Sequence, residues 1–170
     1  MSTRLAKPEG YVMPQIARES VIECARELKG KRYQHQGRDP EIGIDCVAVV
    51  AYAYLTAIER AGFAPPFRLA DVPNDNARQP RDDSFMETLA TILRPKDRAD
   101  VRPGDTVAMM LDTPYPFHVA VVGFDPKLGG LTVIHAYGAR SNLVTFCTEG
   151  PYQRYARRVR RCFEYPEVVG

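Results

Sequence analysis

The sequence predicts an α+β fold in which helices pack against one antiparallel sheet. Two helical apolar patterns occupy the first half of the chain, and a run of short apolar stretches separated by turn residues fills the second half from Pro103-Gly104-Asp105 onward. Size and balance agree: 170 residues, 45% hydrophobic and 26% charged, suit one soluble domain with its own core. That domain is expected to span 1–170, with a core of about 14–165.

The first helix is read from Ile16, Ser20, Val21, Cys24, Ala25 and Leu28, which recur at three- and four-residue intervals until Gly30 ends the pattern. Cys24 is thereby an ordinary core residue. The stretch YQHQGRDPEIGID has the Gly, Pro and Asp content of an irregular loop, and it delivers the chain to Cys46. From Val47 to Ala61 the chain is apolar on nearly every face, alanine-rich and longer than a usual strand, which predicts a buried helix closed by Gly62 and two prolines. The proline-rich APPFRLADVPNDNARQPRDD reads as a surface excursion, followed by a short amphipathic helix using Phe85, Leu89, Ile92 and Leu93. Pro103-Gly104-Asp105 then makes a turn into a strand, and FHVAVVGF and LTVIHAYG form two more, joined by the turn-rich DPKLGG. NLVTFC and RYARRVRRCFEY are expected to continue the sheet as further hairpin-linked strands. No internal repeat is present.

Composition excludes several classes. A formal charge of +2, from 23 basic and 21 acidic residues, is too small to imply a nucleic-acid partner. Met1 to Tyr11 lacks the apolar core of a secretory signal, and no segment approaches the roughly 20 apolar residues of a membrane span, so a soluble cytosolic product is expected. Cys24, Cys46, Cys147 and Cys162 show neither paired metal-ligand spacing nor the density of a disulfide-stapled fold; reduced thiols, with no metal and no cofactor, are the expectation. Cys147 and Cys162 would pair only if their strands were adjacent. The cluster RYARRVRRC has two readings, attraction to an anionic polymer or partner and protection of an exposed edge strand, of which the second is slightly favoured.

If Asp45 caps the second helix, Cys46 sits in its first turn, where the positive end of the dipole favours thiolate over thiol. Taken alone, a single cysteine is more often a small buried hydrophobe. Two of the three histidines, His118 and His135, lie inside apolar strand patterns, an odd place for imidazole. Alternation puts His118 on one face with Ala120 and Val122, and His135 on one face with Val133 and Tyr137. Each alone reads as a satisfied core histidine. Together with a cysteine at a helix start they supply a nucleophile, a general base and a group to orient the base.

The order RELKGKRY, a loop, GIDCVAVV, RPGDTVAMM, FHVAVVGF and VIHA resembles the NlpC-type cell-wall cysteine peptidases, from about Ile16 to Phe146. The resemblance implies a compact papain-like fold, an N-terminal group of helices packed against a C-terminal antiparallel sheet. It implies that Cys46 attacks an amide carbonyl, that His118 is its base and that His135 orients His118. Tyr33 matches the family's tyrosine beside the oxyanion, with the cysteine backbone N–H as the other donor. The substrate implied is a peptidoglycan stem peptide, most often cleaved between D-glutamate and a diamino acid, and no residue here singles out that bond.

The chain departs from the common pattern in DCVAVV, where most relatives carry serine and glycine after the cysteine; Val47 and Ala48 narrow the floor of the site. The HQGRDP loop and the proline-rich segment look closer to the branch encoded in bacteriophages, prophages and gene-transfer particles, which implies phage tail proteins as partners. His35, Asp39 and Asp45 read first as loop, turn and cap residues. No separate wall-binding module is expected. Three rivals stay open: Cys46, His118 and His135 as ligands of a catalytic zinc, a non-catalytic tail-tip or assembly protein that keeps the fold, and an interbacterial amidase toxin.

Overall fold

A computed structural model describes residues 7–72, 90, 93–111, 118–138 and 144–169. In chain order the elements are β1 (Ile16–Ala17), α1 (Arg18–Glu27), β2 (Arg38–Asp39), β3 (Gly43–Ile44), α2 (Cys46–Arg60), β4 (Arg94–Lys96), β5 (Thr106–Met109), β6 (His118–Asp125), β7 (Gly130–Ala136), β8 (Cys147–Pro151), β9 (Val159–Glu164) and β10 (Val168–Val169). Both expected helices form within two residues of their expected starts. Of the expected amphipathic helix, Phe85, Leu89 and Ile92 lie outside the described residues, as does the latter part of the proline-rich stretch; Leu93 is buried.

α1 forms because Val21, Ile22, Cys24 and Ala25 line one stripe that it buries, and Gly30, at φ 84°, turns the chain away after it ends. α2 buries ten of its fifteen residues, as a helix apolar on nearly every face must. Val119, Val121, Ile134, Ala136 and Phe163 point from the sheet into the core that both helices share. The alternate residues Ala120, Val122, Val133, Val159 and Cys162 form a second cluster on the other face, against which Tyr152 and Tyr155 pack.

The main sheet has the order β4-β9-β5-β6-β7-β8, with every neighbouring pair antiparallel. β5, β6 and β7 follow as successive neighbours, as expected; β8 lies beside β7 but begins only at Cys147, the last residue of the expected strand NLVTFC, whose Val144 and Thr145 are not in a strand and whose Asn142 and Leu143 lie outside the described residues. β9 does not continue next to β8: it returns to lie between β4 and β5. Two expectations change with it. The arginine-rich segment protects no edge, since β9 is paired on both sides; the edge strands are β8 and β4, and the Arg94-Pro95-Lys96 of β4 carries the charges and the proline that edges tolerate. Cys147 on β8 and Cys162 on β9 are separated by β7, β6 and β5, roughly 19 Å at the usual strand spacing, so both remain free thiols.

The turn before β5 does more than reverse the chain. Gly104 adopts φ 87° with Arg18 packed against it, and Asp105, fully buried, receives Arg18 Nη1 at 2.7 Å and Lys96 Nζ at 2.9 Å. Tyr54 of α2 donates its hydroxyl to the Gly104 carbonyl at 3.0 Å. This network ties the start of α1, the end of β4 and the turn into β5 to the middle of α2. At the far end of α1, Arg26 and Lys29 clasp Glu149 of β8 at 2.9 and 3.0 Å. Burial pushes the Glu149 carboxyl up, but these cations and the Thr132 hydroxyl win and hold it down at about 2.

Candidate active site

Cys46 is the first residue of α2, and Asp45 caps that helix: its backbone is extended and its Oδ1 accepts the Ala48 N–H at 2.8 Å. Asp45 is also the partner of Arg38, whose Nη1 lies 2.5 Å from the same oxygen. The loop before the helix is mostly irregular, as expected, but β2 and β3 pair within it, Arg38 opposite Ile44, and this short ribbon delivers Arg38 to Asp45. Asp39 makes the expected turn, its Oδ1 accepting the Glu41 N–H.

The thiol is buried among the core residues beneath α2. Backbone N–H groups of Val119 and Val47 face it and favour the thiolate, but desolvation, with the Asp45 charge behind it, pushes Cys46 up to about 12. In this closed arrangement burial therefore outweighs the helix dipole that argued for a resting thiolate. Val47 and Ala48 are buried as well.

Continuing the β6–β7 register from Val121 opposite Ile134 puts His118 and His135 at diagonal positions on one face. Their rings meet there, His118 Nε2 lying 2.7 Å from His135 Nδ1. Tyr137 stands edge-on to His118 with centroids 5.2 Å apart, and Tyr155 stands edge-on to His135 at 5.2 Å. Desolvation, then the neighbouring imidazole, holds His118 well below its ordinary value. Burial lowers His135 to about 4.

The structure pairs the two histidines on the sheet face of Ala120 and Val133, while Cys46 belongs to the core cluster on the helix face. The two histidines touch, and the thiol meets the backbone of Val119, the residue next to His118. Among the described residues, no hydrogen bond joins Cys46 Sγ to either imidazole. Tyr33 bridges to Ile44, two residues before Cys46, and its ring lies against Gly138, three residues after His135; a Cβ at position 138 would collide with that ring. Tyr33 therefore spans the cysteine loop and the histidine strand. His35 sits half-buried in a turn of the same loop. Among the described residues no three His, Cys, Asp or Glu side chains form a group that could hold a metal ion, and no helix is long and apolar enough to cross a membrane.

Arg38, Gly138 and Tyr155 were not singled out by sequence. Gly138, in HAYG, carried a signal as a small residue just after the second histidine; Tyr155 carried none, because it reaches His135 only through the return of the chain over the sheet.

The buried neutral imidazoles make stability depend on acid. A histidine whose folded pKa is lowered takes up its proton more readily unfolded, so stability is full above about 6.5 and is lost as pH falls toward 4. The expected loss from His135 alone is about 3 kcal/mol by pH 4. Thermal unfolding at pH 7, 5.5 and 4.5 should show it, and His135→Asn should flatten the pH dependence; an unchanged slope in that variant would show that other groups set it.

No family model and no curated protein matches the sequence. Among solved structures, twelve chains match. One, the crystal structure of the NlpC/p60 domain of the peptidoglycan hydrolase SagA, superposes with a TM-score of 0.53 at 20% identity, over 88% of this chain and 99% of that one. Two helices against a six-stranded antiparallel sheet, superposable on that domain, make this the papain-like α+β fold of the NlpC/p60 type.

Proposed function

We propose that the protein belongs to the NlpC-type cysteine peptidases and hydrolyses amide bonds in peptidoglycan stem peptides. The observation that carries the reading is the 2.7 Å histidine pair standing next to the residue that touches the Cys46 thiol, on a fold it shares with a domain of a peptidoglycan hydrolase.

The hydrogen-bond direction follows from the chemistry. For His118 to act as base at Nδ1, its proton must sit on Nε2 and be donated to His135 Nδ1. His118 Nδ1 takes the thiol proton as Cys46 Sγ bonds to the amide carbon. Tyr33 and backbone N–H groups steady the oxyanion; His118 then protonates the departing amine, leaving a thioester. Water, deprotonated by His118, cleaves the thioester to a carboxylate and restores the thiol. Thiol and imidazole must come into contact for the first step, a tightening that substrate binding commonly produces. The HQGRDP loop supports a phage- or prophage-associated wall hydrolase carried to the wall by a particle or tail proteins.

A second reading, a tail-tip or assembly protein that has kept the fold without the chemistry, is favoured by the missing Sγ–imidazole bond and by a thiol held near 12. Iodoacetamide at neutral pH with mass mapping separates the two. Cys24, Cys147 and Cys162 are buried thiols that burial also pushes up, and none begins a helix beside a histidine. Labelling of folded protein is therefore expected first at Cys46, with loss of wall hydrolysis in step. Equal or faster labelling at another cysteine would remove the nucleophile from the proposal.

A further inference from the structure

We propose that Arg38 is a positioning residue that sets the ionisation of Cys46 by compensating the carboxylate that starts its helix. This rests on the reading of Cys46 as a nucleophile.

The helix start creates an electrostatic conflict. The Ala48 N–H needs an acceptor, and Asp45 supplies one at 2.8 Å with its side chain only 1% exposed. A buried carboxylate now stands one residue from the thiol, where its charge opposes formation of thiolate. Arg38 lies on the other side of that carboxylate, 2.5 Å away with its side chain 9% exposed. The β2–β3 ribbon holds it there: the Gly37 carbonyl accepts both Arg38 Nη1 at 3.0 Å and the Asp45 N–H at 3.3 Å. A buried ion pair of this kind adds little net stability over apolar packing. What it does here is cancel the charge of a cap the helix requires, and the guanidinium field acts on Cys46 in the direction opposite to that of Asp45. On the strands of the sheet, the two imidazoles, His118 on β6 and His135 on β7, are held neutral by burial.

The test uses opposite signs. Arg38→Gln removes the guanidinium from Asp45 and should raise the Cys46 pKa. Asp45→Asn keeps an oxygen for the Ala48 N–H, removes the negative charge and should lower it. Well below the pKa, the alkylation rate follows the thiolate fraction, partly offset by the greater nucleophilicity of a more basic thiolate, so each unit changes it about threefold. Second-order iodoacetamide rates at Cys46 between pH 7 and 9, with circular dichroism as folding control, should run Asp45→Asn fastest and Arg38→Gln slowest. Wild type, Arg38→Lys and the double variant should fall between them. A structural role alone would loosen the site in both single variants and move both rates the same way; that result, or an Arg38→Gln rate equal to wild type, overturns the proposal. Because alkylation needs no substrate, it reads Arg38 even if wall hydrolysis is never found.

Discussion

Cys46→Ala is expected to abolish hydrolysis of peptidoglycan fragments while leaving the fold in place. The substitution removes one sulfur from a site 5% exposed and keeps the Asp45 cap and its Arg38 partner, so the stability cost should be about 1 kcal/mol. The catalytic cost should be far larger. With no atom to form the thioester, turnover should fall on the order of 10⁶-fold, as when a hydrolase loses its nucleophile. Release of muropeptide products, followed by chromatography beside a thermal melt, measures both. Normal melting with retained hydrolysis would end the cysteine mechanism; normal melting with no hydrolysis in either variant or wild type would favour the non-catalytic protein.

The two histidines should separate in role. His118→Ala removes the proton acceptor and should eliminate nearly all turnover. His135 acts only through His118, by accepting the Nε2–H at 2.7 Å, so His135→Asn, which retains an acceptor oxygen, should keep measurable activity, and His135→Ala should lose much more. Base and orientation effects of this kind are worth roughly 10²- to 10⁴-fold. All three variants would be compared on one muropeptide, with circular dichroism to confirm folding. An active His118→Ala beside a dead His135→Asn would mean that the base sits on β7, and indifference to all three would leave no role for the pair.

Much of this was legible one residue at a time. α2 was readable because its apolar character extends over most of fifteen residues, ten of which are buried, and its start was readable because aspartate before an apolar run is a cap. The histidines were readable as anomalies, since imidazole in an alternating apolar strand needs a partner, and their shared parity with Ala120 and Val133 survived into the sheet. β4 was not readable: Arg94-Pro95-Lys96 is too short and too polar to look like a strand and is one only because β9 pairs with it.

Local sequence determined which residues are helical, which alternate and which polar groups are out of place, because periodicity and capping act over a few residues. Tertiary structure alone decided where β9 inserts, and with it that the arginine segment guards no edge and that Cys147 and Cys162 lie too far apart to bond. It also decided that Arg38 answers Asp45, that Tyr155 backs His135 and that the Cys46 thiol rests neutral. Each of these depends on how elements distant in sequence are brought together and on how much water they exclude, and desolvation is a property of the packed molecule rather than of any segment of it.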